Sequence, residues 1–296
     1  MPYNAEISRL NPSCILFLLD QSHSMNEEFI TSDGKRTKAQ GVADVINRSL
    51  QTLVAKCTKS AGINDYYHVG VIGYSGNGVV PALSGGPLEH KDLVPISLIG
   101  NYPARVERRV KQIPNGKGGF IEKKLATPVW VEPRYGGVTP ICEAFRRASR
   151  VINQWLLEHP DCFPPIIINI TDGEASDGNP LELGRNIMSL KSSDGNVLLF
   201  NLHISSSSNR SIQFPDSPSG LPDELAEELF SISSVLTSYM VKVIGDEGGS
   251  ANSNSRGFAF NADFNTLLRF IDIGTRPKEL GTGGELNQGL NQLFPS

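Results

Sequence analysis

The chain has 296 residues, of which 39% are hydrophobic and 20% are charged, and its formal net charge is −4. This composition supplies one sizeable apolar core and excludes a disordered chain dominated by charge. The acidic balance argues against a nucleic-acid-binding protein, which ordinarily needs a basic face. The N-terminal residues predict no secretion signal, and the longest apolar stretches, near 14–19 and 165–170, are too short to cross a membrane.

The four cysteines are Cys14, Cys57, Cys142 and Cys162. No two of them form a CxxC pair. Cys14 lies in an apolar strand pattern and Cys142 in an apolar helical pattern, so ordinary buried thiols are expected. A reduced, cytoplasmic protein is therefore predicted.

The first elements along the chain are a strand, a helix and a second strand. Residues 14–19 are continuously apolar, which is typical of a strand buried on both faces. Residues 36–57 carry apolar side chains at helical spacing, and residues 67–74 form the second predicted strand. The turn signal at 75–78 predicts a hairpin, so the strand that begins at Val79 should run antiparallel.

Residues 84–136 interrupt this rhythm and are rich in glycine and proline. They contain two strand-like pieces, around 93–99 and 120–131. We interpret them as an elaborated insertion rather than an independent domain, because a core of their own would be small. They also contain a basic cluster, Arg105, Arg108, Arg109 and Lys111. Such a cluster is ordinarily a solvated face, although positive charge near a binding site attracts partners that carry carboxylates.

The second half of the chain alternates predicted helices and strands. In chain order these are a helix from 140 that ends before Pro160, a strand at 166–170, a helix from Pro180 to about 191 capped by Asn179, a strand at 197–204, a loop at 205–220, helical patterns at 222–244, a strand at 258–260 and a helix at 263–273. This alternation predicts an α/β fold with a mainly parallel sheet and helices on both faces. We expect a single domain over 10–276 and a glycine-rich tail at 277–296.

Polar side chains follow the buried strands at the points where these strands end. Asp20, Ser22 and Ser24 follow the first strand, Asp172 follows the strand at 166–170, and Thr139 precedes the central helix. In open α/β sheets, ligands bind outside the carboxyl ends of the strands. Two carboxylates and three hydroxyls are hard oxygen ligands, and they predict a site for Mg²⁺, with Mn²⁺ or Ca²⁺ as alternatives.

These residues resemble the metal-ion-dependent adhesion site of the von Willebrand factor A (vWA) domain family. The resemblance has three parts: Asp20-x-Ser22-x-Ser24, Thr139 after a Gly-Gly turn, and Asp172-Gly173 after a buried strand. It implies a Rossmann-like, doubly wound, mainly parallel sheet with one antiparallel edge strand. It also implies a module that binds an Asp or Glu carboxylate of another protein through the metal. The chain departs from the family at His23, where glycine is usual.

The segment at 258–264 resembles the tellurite-resistance-type branch of intracellular bacterial A domains. This resemblance implies a stress-response or defence complex whose other members include a kinase, a phosphatase or an AAA+ ATPase. Neither nucleic acid nor membrane is an expected partner.

Taken singly, the same residues have ordinary structural explanations. Thr139 before Pro140 is a good helix cap followed by proline at the first helical position, and Asp172-Gly173 is a common turn pair. Glu174 and Asp177 are expected to be solvated loop charges, and His23 is either a surface residue or a contact at the rim of a partner site. Only the joint occurrence at one edge of one sheet favours a metal.

Two alternatives to a metal-dependent binding module remain open: an Mg²⁺-dependent hydrolase or phosphoryl-transfer enzyme, and a scaffold whose metal site is vacant. The sequence contains no HExxH or Walker A motif. Phosphoryl transfer through Asp20 would need a second carboxylate two residues further on, where Ser22 stands, and a lysine, for which the sequence offers no convincing candidate. We therefore expect a protein that is not an enzyme.

Overall fold

The computed structural model describes residues 3–31, 34–114, 119–205 and 211–275. Its strands, β1 to β16 in chain order, are Ser13–Asp20, Glu28–Thr31, Gly34–Thr37, Thr58–Lys59, Gly62–Ile63, Tyr67–Ser75, Gly78–Pro81, Val94–Pro95, Arg105–Pro114, Phe120–Val129, Ile166–Thr171, Lys191–Ser192, Gly195–Asn196, Leu198–Ile204, Ile212–Gln213 and Phe258–Ala262. Its α-helices, α1 to α7, are Lys38–Cys57, Ile96–Asn101, Ile141–Glu158, Leu181–Ser189, Glu224–Ser231, Ser238–Asp246 and Phe264–Thr275.

The main sheet has the order β15-β16-β14-β11-β1-β6-β7, with β8 also paired to β6. The pairs β16–β14, β14–β11, β11–β1 and β1–β6 are parallel. The predicted α/β class with a mainly parallel sheet is therefore confirmed. The expected antiparallel edge strand is β7, and the structure adds two short antiparallel strands, β8 beside β6 and β15 at the opposite edge.

Helices cover both faces of this sheet because the inner strands are apolar on both sides. In β1, Ile15, Phe17 and Leu19 point into a core shared with α1, α6 and α7. The alternate residues, among them Leu16 and Leu18, point into a second core with α3, α4 and α5. All eight residues of β1 are buried. The strand therefore lies at the centre of the molecule, and its carboxyl end is held from both sides.

The insertion at 84–136 contains a short helix and a long hairpin. The prediction of a strand at 93–99 is wrong for most of its length. Only Val94–Pro95 pairs as a strand, and the chain then forms α2. A six-residue apolar helix is too short for its periodicity to distinguish it from a strand. The piece at 120–131 forms β10, which pairs with the unpredicted strand β9.

The end of this insertion is hydrogen-bonded to Asn47 of α1. Oδ1 of Asn47 accepts hydrogen bonds from the backbone N–H groups of Trp130 at 2.8 Å and Val131 at 2.9 Å, and Nδ2 donates to the Val131 carbonyl at 2.9 Å. The Trp130 indole N–H donates to the carbonyl of Ile99 in α2. Trp130 is fully buried. The segment that leads to Thr139 is thus fixed by a buried polar contact to α1.

One prediction in the second half needs correction and another gains detail. The loop at 205–220 contains β15, which pairs with β16, while residues 206–210 lie outside the described chain. The helical pattern at 222–244 is two helices, α5 and α6, because Ile232 ends the first and Thr237 caps the second. The tail at 277–296 also lies outside the described residues.

The four cysteines are free and buried. Within the described ranges, no helix is both long enough and apolar enough to pass through a membrane.

Candidate metal site

The predicted ligands lie at the place where the order of the parallel strands reverses. From β1 the chain moves to β6 on one side of β1, and it later returns to β11 on the other side. Leu19 of β1 pairs with Ile170 of β11, so the next residues of both strands leave the sheet side by side. Ligands of open α/β sheets bind at such a switch point. The sheet therefore brings Asp20 and Asp172 to the same edge.

A chain of hydrogen bonds connects four of the five predicted ligands. The backbone N–H of Ser22 donates to Oδ1 of Asp20 at 2.8 Å. The hydroxyl oxygens of Ser22 and Ser24 lie 3.0 Å apart, and the Ser24 hydroxyl donates to Oδ1 of Asp172 at 2.6 Å. Asp20, Ser22, Ser24 and Asp172 therefore form one cluster of oxygen atoms.

Asp20 is almost completely enclosed, with 1% of its surface exposed. Its second oxygen, Oδ2, accepts a hydrogen bond from the Thr171 hydroxyl at 2.8 Å. Burial raises the pKa of Asp20 to about 6, and the nearby charge of Asp172 adds to this, while the hydrogen bonds from Ser22 and Thr171 oppose it. A buried carboxylate of this kind gains more from a nearby cation than a solvated one does.

Thr139 reaches the same edge through backbone contacts of its loop. Its N–H donates to the Ser176 hydroxyl at 3.0 Å, and its carbonyl accepts from the Ser176 N–H at 2.9 Å. The N–H of His23 donates to the carbonyl of Gly137 at 3.0 Å. The loop of Thr139 is thus attached both to the loop after β11 and to the loop after β1. Thr139 itself is buried.

The Gly-Gly turn before Thr139 is required by a close approach of two backbones. Gly137 has φ +74°, and a Cβ on it would lie 2.5 Å from Cα of Gly76, in the turn between β6 and β7. The N–H of Gly76 also donates to the Gly136 carbonyl at 3.4 Å. A side chain at 137 would therefore be strained and would push the Thr139 loop away from the site.

The alternative explanation of Thr139 as a helix cap is wrong. Helix α3 begins at Ile141 with Pro140 as its N-cap residue, and no side chain of that residue caps it. The carboxylate of Asp177 instead accepts from the N–H groups of Cys142 at 3.0 Å and Glu143 at 2.8 Å. Asp177 is therefore a helix cap rather than only a solvated charge, and the side chain of Thr139 is not used for capping.

Sequence analysis missed Lys38, the first residue of α1. Its Nζ donates to Oδ2 of Asp172 at 2.8 Å and to Oε2 of Glu27 at 2.7 Å, and its side chain is 5% exposed. Burial lowers the pKa of Lys38, but the hydrogen bonds and charges of Asp172 and Glu27 outweigh burial, so its pKa lies above its ordinary value. The capping box of Thr37 and Gln40 could have revealed Lys38, because it places the start of α1 at this edge.

The oxygen cluster fits a hard divalent cation. The 3.0 Å between the hydroxyls of Ser22 and Ser24 is close to the ligand–ligand edge of about 3.0 Å in an octahedron with metal–oxygen bonds of about 2.1 Å. Among the residues that the structure describes, no group of three His, Cys, Asp or Glu side chains could hold a metal. An ion at this edge would therefore rely on hydroxyls and water for most of its coordination, as Mg²⁺ readily does.

The two remaining polar candidates lie outside this cluster. His23 is in a short 3₁₀ turn at His23–Asn26 and is exposed, and Glu174 is exposed as well. Next to the site, Tyr135 and Val138 are large apolar side chains that are 53% and 57% exposed. They flank the Gly136-Gly137 turn that precedes Thr139, and we call these two residues the apolar rim.

Two arginines of the basic cluster, Arg105 and Arg109, are paired with acidic neighbours. Arg105 pairs with Glu107 and Glu132, and Arg109 pairs with Glu107 and with Asp44 of α1. These pairs border a cleft of about 390 Å³ between α1 and the β9–β10 hairpin. The arginines that line this cleft, Arg36, Arg105 and Arg109, are already paired, so the cleft offers little free positive charge to a partner.

Comparisons with known proteins give distant likenesses only. No family model matches the chain, and a search of curated proteins finds no match. Among solved structures, the chain is similar to the ArnB paralog VWA2 from Sulfolobus acidocaldarius, with 14% identity and a TM-score of 0.35 over 68% of this chain and 36% of that chain. It is similar to the SpRpn10 VWA domain, with 12% identity and a TM-score of 0.36 over 67% of this chain and 77% of that one.

A third likeness is to proximal thread matrix protein 1 from the mussel byssus, with 17% identity and a TM-score of 0.43 over 90% of this chain and 48% of that chain. The chain thus spans about a third of the VWA2 structure and about half of the byssus protein. TM-scores this low do not establish a shared fold. The α/β fold is established by the strand order and registers of the protein itself.

Proposed function

We propose that the protein is a vWA-type interaction module that binds a carboxylate of a partner protein through a Mg²⁺ ion. The observation that carries this proposal is the hydrogen-bonded oxygen cluster formed by two strand ends, from Asp20 through Ser22 and Ser24 to Asp172. Ser22, Ser24 and Thr139 would supply hydroxyl ligands. Asp20 and Asp172 would supply charge, either directly or through water.

The charge of the site explains why a bound ion would accept a ligand from outside. Asp20 and Asp172 together carry two negative charges, and Lys38 cancels one of them. A divalent ion therefore leaves the buried part of the site with a net positive charge. The carboxylate of an Asp or Glu side chain is the protein group that best neutralises this charge, and the apolar rim of Tyr135 and Val138 offers contact area beside it.

An enzymatic role is disfavoured by the surroundings of Asp20. Lys38 does supply the lysine that phosphoryl transfer would need. However, both oxygens of Asp20 already accept hydrogen bonds, from Ser22 and Thr171, and the side chain is enclosed. A nucleophile must reach its substrate, and only 1% of the surface of Asp20 is exposed. We therefore propose a binding protein and not a hydrolase or phosphotransferase.

The cellular setting is proposed from the sequence resemblance and the cysteines. We propose a cytoplasmic location, which is supported by the four free, buried thiols because such thiols suit a reducing compartment. The partner is a protein of a bacterial stress-response or defence complex, with a kinase, a phosphatase or an AAA+ ATPase as the candidates. Its contribution to the interface is an exposed Asp or Glu.

Co-purification from the native host tests this function. The tagged protein is recovered with millimolar Mg²⁺ or with EDTA, and bound proteins are identified by mass spectrometry. We expect a specific partner that is present with Mg²⁺, lost with EDTA, and lost with Asp20→Ala. A partner that is retained under both of these treatments would contradict the metal-dependent role and favour a scaffold with a vacant site.

A further inference from the structure

Lys38 breaks two ordinary preferences of protein structure. It is a buried lysine, with 4% of the residue exposed, and lysine is among the residues least often buried. It is also the first residue of α1, where the positive end of the helix dipole disfavours a cation. Residues that break local rules without a local benefit commonly serve function.

Two hydrogen bonds to carboxylates compensate for the burial of the Lys38 charge. One hydrogen bond from Nζ goes to Oδ2 of Asp172, whose other oxygen accepts from Ser24. The other goes to Glu27, whose side chain is 57% exposed. The ammonium of Lys38 therefore contacts one enclosed carboxylate and one exposed carboxylate. It holds the carboxylate that a divalent ion would also use.

We infer that Lys38 is a built-in counter-cation of this site, which lowers its intrinsic affinity for divalent metal so that the loaded site keeps a net positive charge for the partner's carboxylate. The inference rests on the proposed metal-binding function and adds to it the residue that sets metal affinity. Lys38 acts through Asp172 and is not itself a metal ligand. Its charge opposes the ion, and its hydrogen bond occupies one oxygen that could otherwise face the metal directly.

The opposite role would also be physically reasonable. A residue that hydrogen-bonds a metal ligand commonly orients that ligand, and its loss then weakens metal binding by about tenfold to a hundredfold. The two roles predict changes of opposite sign when Lys38 is neutralised. A metal-binding measurement on one substitution therefore distinguishes them.

The test is calorimetric titration of Mn²⁺ into the full chain and into Lys38→Met, which keeps the length of the side chain and removes its charge. Lys35→Met is the matched control, because Lys35 is exposed and pairs only with Glu28 in the described structure. We expect Lys38→Met to bind Mn²⁺ on the order of tenfold to a hundredfold more tightly than the wild type, since a unit charge acting on a divalent ion at short range has an effect of this size. Lys35→Met should match the wild type.

Each result decides between the two proposals. Tighter binding by Lys38→Met, with a wild type that binds metal, supports the inference. Binding by Lys38→Met alone, with a wild type that binds no metal, overturns the proposed function and with it the inference that rests on it. Equal or weaker binding by Lys38→Met, with a wild type that binds, overturns the inference and leaves the proposed function standing. Absence of binding in both proteins overturns both.

A second readout protects the test against a folding defect. Removing Lys38 leaves the buried Asp172 carboxylate without its cation, so Lys38→Met should melt at a lower temperature than the wild type in EDTA. Mn²⁺ should then raise its melting temperature by more than it raises that of the wild type. Lys38→Gln, which keeps a hydrogen-bond donor without the charge, should behave in the same way. A smaller metal-induced shift in both variants would overturn the inference.

Discussion

The hydroxyl of Ser24 donates a hydrogen bond of 2.6 Å to Oδ1 of Asp172, although 148 residues separate them in the chain. This contact joins the loop after β1 to the loop after β11, at the point where the strand order reverses. Both atoms are hard oxygen ligands. The fold therefore brings two residues that are far apart in the sequence together at one potential metal site.

Ser24→Ala should weaken metal binding without unfolding the protein. The substitution removes one hydroxyl ligand and the hydrogen bond that orients Asp172, and loss of such contacts commonly costs about tenfold to a hundredfold in affinity. The metal-induced rise in melting temperature should shrink accordingly. Ser193→Ala is the control, because Ser193 also hydrogen-bonds an aspartate, Asp161, but on an exposed surface. An unchanged metal response in Ser24→Ala would show that Ser24 is not a ligand.

Asn47→Ala should destabilise the protein markedly. Asn47 makes three buried hydrogen bonds to the backbone of Trp130 and Val131, and its loss leaves those groups unpaired. We expect a decrease of about 2–4 kcal/mol in the free energy of unfolding, measured by urea denaturation. Asn153→Ala, at an exposed position on α3, should change it by less than about 0.5 kcal/mol. Equal effects of the two substitutions would mean that Asn47 does not anchor the insertion.

Tyr135→Ala should weaken partner binding while leaving metal binding intact. Tyr135 is 53% exposed beside the Gly-Gly turn that precedes Thr139, and exposed aromatic residues often dominate binding interfaces. Affinity for the co-purified partner should fall about tenfold or more, and the metal-induced melting shift should stay the same. Tyr102→Ala provides the comparison, because Tyr102 is 46% exposed at the end of α2. If both substitutions leave partner affinity unchanged, the rim takes no part in binding.

His68 should make the protein less stable in mild acid. Burial lowers the pKa of His68 below its ordinary value, with opposing charge from Asp65, and its Nδ1 is buried without a hydrogen-bond partner in the described structure. As the pH falls below about 6.5, His68 is therefore protonated more fully in the unfolded chain than in the folded protein. The free energy of unfolding decreases accordingly.

His68→Phe should remove that loss. The difference in unfolding free energy between this variant and the wild type should shift in favour of the variant between about pH 7.5 and about pH 5. His90→Asn, a change at an exposed histidine with φ +62°, is the control substitution. Parallel pH profiles for His68→Phe and the wild type would rule out this source of acid sensitivity.

The fold could be predicted because its signals are local and periodic. The apolar run of β1 and the spacing in α1 and α3 identify buried elements directly, and their alternation dictates a parallel sheet. The candidate site followed from one further rule, that the carboxyl ends of parallel strands meet at one edge. Asp20 and Asp172 could therefore be placed together before any contact was known.

Long side chains and short elements were less predictable. Lys38 lies in a helix whose start is clear from its sequence, but a flexible four-carbon side chain can reach in many directions, so its contact with Asp172 is decided by tertiary packing. Helix α2 is six residues long, and so short an apolar run fits either a strand or a helix. Asp177 caps α3 although it lies 35 residues after Cys142, whose N–H donates to it. A cap so far along the chain cannot be predicted from local sequence.

Anomalous diffraction from crystals grown with Mn²⁺ tests the central claim most directly. We predict one strong manganese peak at the carboxyl edge of the sheet, within bonding distance of the hydroxyls of Ser22, Ser24 and Thr139, and its absence in crystals of Asp20→Ala. A peak bound elsewhere on the wild-type protein, or an Asp20→Ala crystal that keeps the peak, would contradict the assignment of this site.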